Sequence, residues 1–126
     1  MSYQDLTGIV LAEIIGDFAF KQFANHGGMI PFITGTGGYI MVIYFLIRSL
    51  QGSTVLLVNS AWDGISTLIE GLVAIIVYGE YFTSVSQYVG FIFIIIGLFL
   101  LKIPLKRKHK FVFPTFELQK RIRSNT

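Results

Sequence analysis

The sequence predicts an all-α integral membrane protein of four transmembrane helices followed by a basic C-terminal tail. Three observations predict it. Hydrophobic residues make up 53% of the 126 residues and charged ones only 13%, too much apolar surface for so short a chain to enclose in a core of its own. No Asp, Glu, Lys or Arg falls between Gln22 and Ile47, or between Tyr81 and Leu101, and about 20 apolar residues suffice to span a bilayer as a helix. The charge is also divided. Up to Leu101, the bases Lys21 and Arg48 stand against Asp5, Glu13, Asp17, Asp63, Glu70 and Glu80, whereas Lys102 to Thr126 hold eight bases and one acid.

The membrane body is read as residues 1–103, with spans at about 6–24, 30–48, 55–78 and 84–102, and the tail as residues 104–126. Met1 to Asp5 has no basic segment, and the first apolar run contains Glu13 and Asp17, so the first span is expected to be retained rather than cleaved. The chain has no cysteine, which excludes a disulfide framework and a thiolate metal site.

The first span centres on Leu11-Ala12-Glu13-Ile14-Ile15-Gly16. An ionised carboxylate is costly in hydrocarbon, so Glu13 is a functional-site candidate. Glu13, Asp17 and Lys21 recur every four residues and share a face. Lys21 can neutralise Asp17 one turn away, or both can serve other contacts. Glu13 is two turns from Lys21, about 12 Å along the axis, and is read as the functional carboxylate. Asn25-His26-Gly27-Gly28 reads as a turn, and Pro31 fits the first turn of the second helix.

In the second span, Gly35, Gly37 and Gly38 permit close helix approach. Gly35 to Gly38 has neither the strand nor the lysine of a phosphate loop. Tyr39 and Tyr44 are either interfacial anchors or cavity lining, and Arg48 is expected to reach the headgroups. The third span is the most polar. Asn59, Asp63, Ser66 and Glu70 form one stripe that must face protein or water. Trp62 lies well inside the span, which favours a buried role over a headgroup anchor. In the fourth span, Gly90 and Gly97 share a face suited to a helix of another protomer.

The run Lys102 to Lys110 beside the last span predicts a cytoplasmic C-terminus, and with four spans a cytoplasmic N-terminus as well. The run also suits anionic lipid in preference to nucleic acid. Phe111 to Phe116 is apolar enough to lie on the membrane or dock on a partner, and residues 117–123 could form a short amphipathic helix. The two histidines, His26 and His109, lie in the turn and the tail. No nucleophile–base pair or metal cluster stands out, so neither an enzyme nor a cofactor is expected.

Leu11-Ala12-Glu13, Ala61-Trp62-Asp63-Gly64 and Gly90 with Gly97, in this order across four spans, resemble the small multidrug resistance family over about residues 3–103. The resemblance implies paired four-helix subunits, often antiparallel, and a glutamate in each that binds protons or a cationic substrate. It assigns that role to Glu13, cavity positions to Trp62, Tyr39 and Tyr3, a helix kink to Gly64, and dimer packing to Gly90 and Gly97. Asn59 stands where the family usually has a tyrosine. Asp63 replaces a small polar residue, as in one subunit of the paired spermidine exporters. Asp17, Arg48, Glu70 and the basic tail are additions.

The function this implies is proton-coupled export of small organic cations: quaternary ammonium compounds, lipophilic cations or polyamines. Removing a carboxylate from water favours its protonated form, and an arriving cation favours the ionised one. Two Glu13 residues in a dimer would titrate together, and Trp62 and Tyr39 would hold a cation over their rings. The charge bias of the tail should fix one orientation, which points to a partner of opposite orientation in a heterodimer, or to a different role. That alternative is a non-transporting accessory subunit that docks through its basic, aromatic tail.

Overall fold

The computed structural model describes residues 1–102 and 111–116. The expected amphipathic helix at 117–123, and the basic run from Ile103 to Lys110, lie outside the described residues. Four helices follow one another: α1 (Tyr3–His26), α2 (Met29–Leu50), α3 (Val55–Tyr78) and α4 (Val85–Leu101).

Local chemistry fixes their ends. Ser2 caps α1, its hydroxyl accepting from the Asp5 amide at 3.1 Å. The helix runs through Asn25 and His26, which the sequence reading had placed in a turn, and stops at Gly27 with φ 69°. Such a backbone strongly favours glycine. Thr54 caps α3 by accepting from the Leu57 amide at 3.2 Å. Gly79, left-handed at φ 65°, ends α3 and lets the Glu80 amide reach back to the Ala74 carbonyl. At α4, Gln87 reaches back to accept from the Ser84 amide at 3.2 Å, half of a capping box.

α2 and α3 are each long and apolar enough to cross a membrane, and α4 is apolar but shorter. α1 is equally long but carries Asp5, Glu13, Asp17 and Lys21. α1 and α2 pack most extensively, α3 touches both, and among the described elements α4 packs against α3 alone.

Small residues let α1 and α2 cross closely. A Cβ on Gly38 would stand 2.8 Å from the Ala12 carbonyl oxygen and 2.9 Å from the Gly16 backbone. One on Gly35 would strike the Phe20 ring at 2.8 Å, whereas Gly37 faces open space. Two of the three glycines noted in the sequence therefore form the contact, and Gly16 meets them from α1. On α3, Gly64 was expected to mark a kink. The helix continues through it, and its missing side chain admits Leu98 of α4, whose Cδ2 would lie 2.5 Å from a Cβ. Gly71 admits Phe91 in the same way.

The core is thin. Met1, Leu6, Val10, Val58 and Ala61 form one cluster and Ile9, Ala12 and Val42 another, with Leu46 and Trp62 packed on both. Of the described residues, none on α4 is buried. The apolar surface left open suits lipid or a second protein, as befits a multi-pass membrane protein.

Arg48 departs from expectation. Instead of reaching outward, its Nε donates to Asp5 Oδ1 at 2.8 Å, and Asp5 is fully buried. Its guanidinium lies 5.1 Å from the centre of the Phe111 ring, while the Gln51 amide and the Val112 backbone exchange hydrogen bonds of 2.9 and 3.3 Å. Phe111 and Val112 thus dock on the end of their own α2.

The crossing generates a paired expectation. Gly38→Ala should destabilise the protein by about 1–3 kcal/mol through overpacking, and Gly37→Ala by no more than about 0.5 kcal/mol. Thermal unfolding in mild detergent checks both, and equal effects would contradict the crossing.

Candidate functional site

Glu13 lies midway along α1, half-buried against α3. Its Oε2 accepts a hydrogen bond of 2.6 Å from Trp62 Nε1. The indole is held by both core clusters, so the donor is aimed by packing. A charge-assisted bond of this kind fixes the carboxylate at the edge of the indole ring. Ser66, buried one turn below Trp62, lies beside the same carboxylate.

One turn further along α1, Asp17 accepts a hydrogen bond from the Tyr39 hydroxyl. Gly16 makes this possible, since a Cβ there would stand 2.9 Å from the Tyr39 ring. Lys21 does not neutralise Asp17. It forms an ion pair with Glu80 and lies over the Tyr78 ring at 4.9 Å.

Glu70 on α3 completes the cluster. One oxygen from each of Glu13, Asp17 and Glu70 lies within 4.8 Å of the others. One oxygen of Glu70 is buried without a hydrogen-bond partner among the described residues. Beside the cluster, a cavity of about 330 Å³ is lined by Asp17, Lys21, Thr67, Glu70 and Glu80, among others. Such close carboxylates repel unless a proton or a cation comes between them. Their hard oxygen donors suit an ammonium group and also a hard metal ion.

The structure brings Glu13, Trp62 and Tyr39 into this region and leaves other sequence candidates outside it. Tyr3 opens α1 and is 55% exposed, ten residues or about 15 Å along the axis from Glu13. Asp63 is exposed, and its carboxylate makes no hydrogen bond among the described residues. Asn59 is exposed as well. The stripe that faces α1 is therefore Trp62, Ser66 and Glu70, not the stripe through Asn59 and Asp63. Its signal was available in the sequence as a spacing of four, matched by Glu13 and Asp17 on α1. A Cβ on Gly90 or Gly97 would have nothing within 4 Å, so both glycines lie on open surface.

The chain is similar to known proteins. The family described as Small Multidrug Resistance protein matches residues 1–96. A multidrug transporter of Pseudomonas aeruginosa is 27% identical over 79 residues, covering 63% of this chain and 72% of its own. A quaternary ammonium compound-resistance protein of Staphylococcus saprophyticus is 25% identical over 101 residues, covering 80% of this chain and 94% of its own. No solved structure matches the chain.

Trp62 is the sole tryptophan, so its fluorescence reports on Glu13 directly. Its emission should shift as pH titrates the carboxylate, and the shift should be lost or strongly reduced in Glu13→Gln. A titration that is unchanged in the variant would separate the indole from Glu13.

Proposed function

The chain belongs to the small multidrug resistance family, and on that premise we propose that it exports small organic cations in exchange for protons. The hydrogen bond from Trp62 to Glu13 is the observation that carries this reading. It puts a single carboxylate against an aromatic surface, where a proton or an organic cation can be held but not both. Protonation neutralises Glu13. A cation arriving beside Trp62 gains cation–π and apolar contact, on the order of 0.5–2 kcal/mol, and favours the ionised carboxylate, so the proton leaves. Release on the other side of the membrane requires the helices to rock about the site.

Asp17 and Glu70 extend the negative charge along the α1–α3 face and support a preference for cations of more than one charge, such as polyamines. The matched relatives are named for multidrug transport and quaternary ammonium resistance, which supports export of organic cations in general. The bare surface of α4, with Gly90 and Gly97 open, supports a dimer in which Glu13 acts from each subunit. The basic tail supports a fixed orientation with both termini cytoplasmic, and hence a partner of opposite orientation.

A second reading has its own support. Phe113 and Phe116 are 53% and 93% exposed, so the aromatic tail offers apolar surface for a larger partner, with this chain as an accessory subunit. Such a partner should co-purify stoichiometrically and be lost on deletion of 104–126.

Binding of tetraphenylphosphonium and of spermidine to the purified protein should strengthen as pH rises and fall at least tenfold in Glu13→Gln. The tighter ligand names the substrate class. Equal binding by the variant would overturn the assignment of Glu13.

A further inference from the structure

Glu13 is bracketed by two ion pairs, each eight residues away along α1. Asp5 pairs with Arg48 at one end and Lys21 with Glu80 at the other. The two differ in kind. Asp5 is fully buried, whereas the Lys21 and Glu80 side chains are 41% and 46% exposed. A buried pair that is broken leaves an uncompensated charge, but an exposed pair holds weakly and exchanges with water. The end that opens readily is therefore the Lys21 end.

The cavity beside the carboxylates leads to that end. Its wall runs from Asp17 and Glu70, past Phe18 and Gly71, to Lys21 and Glu80. Phe18 stacks on Tyr78 with ring centres 5.0 Å apart and planes 8° from parallel, and Lys21 covers the Tyr78 ring. Glu80 lies in the connection between α3 and α4, just after the left-handed Gly79. The pair thus ties α1 to that connection along the cavity wall, with Phe18 of the stacked pair lining the same wall.

We infer that Lys21 and Glu80 form the gate through which water and cations reach the carboxylates from this end of the bundle. When closed, the Lys21 ammonium stands at the mouth and repels an incoming cation. When Glu80 lets go, the connection after Gly79 is free to swing, and the acidic cavity is exposed. A cation at the mouth competes with Lys21 for Glu80, so its arrival favours opening. As a route for cations, this rests on the reading of Glu13 and its neighbours as the cation site. As a barrier to water, it does not.

The test uses the full chain in detergent and reads water access rather than transport. Acrylamide, a neutral quencher, is titrated against Trp62 fluorescence, with helical content followed by circular dichroism. Lys21→Gln and Glu80→Gln should each raise the quenching constant about two- to fivefold, the range expected for loss of one exposed pair. The swapped protein, Lys21→Glu with Glu80→Lys, should return to near the wild-type value. Unchanged quenching in either single variant at wild-type helical content would overturn the gate. So would high quenching that the swap does not reverse. Failure of Glu13→Gln to alter cation binding would instead overturn the site and leave the quenching result intact.

Discussion

A carboxylate inside a bilayer costs on the order of 3 kcal/mol at mid-span, and the structure is arranged around meeting that cost at Glu13. The indole of Trp62 supplies a donor from α3. That donor stays aimed because Val58 and Ala61, on the same helix, are fully buried against α1. Asp17 is met from the other side by Tyr39 of α2. This contact depends on the glycines that let α1 and α2 cross at backbone distance. Neutral donors fix the carboxylates without cancelling their charge, so the charge stays available to a proton or a cation. An arginine or lysine in the same place would cancel it, and Arg48 and Lys21 are engaged at the ends, on Asp5 and Glu80.

Much of this was legible in the sequence. Four apolar segments and their punctuation by glycine, serine and threonine follow from composition and capping chemistry. Glu13 stood out as an acid in an apolar run, and Trp62 as a tryptophan too deep in its span for a headgroup anchor. Partner choice between helices was not legible. Periodicity places Asp17 and Lys21 on one face but does not say that Glu80, far along the chain, is the better match for the lysine. Arg48 at the end of an apolar span fits a headgroup contact as well as an internal one, and only the path of α1 brings Asp5 to it. The same limit moved the polar stripe of α3. Spacing allowed Asn59–Asp63–Ser66–Glu70, but the rotation of the helix against α1 selects Trp62–Ser66–Glu70. Gly64 could admit a bend or a neighbour, and only the path of α4 shows that the neighbour is Leu98.

The protomer leaves much undone on its own surface. No residue of α4 is fully buried, and Gly90 and Gly97 have no neighbour over them. A helix with this little packing draws its stability from the membrane and from whatever covers it. The tail has another character. Gln51 pairs with the backbone of Val112, and Phe111 covers Arg48, so the first described residues of the tail stay with the bundle while Phe116 points away. The chain therefore presents two separate surfaces, an apolar helix face and an aromatic tail tip.

The central claim is that a proton and an organic cation compete for Glu13. The most direct measurement is the number of protons released when a saturating cation is added to the protein in weak buffer, near the pH at which Trp62 emission titrates. The account predicts release of a substantial fraction of one proton per bound site, and none from Glu13→Gln. Cation binding without proton release, or equal release by the variant, would contradict it.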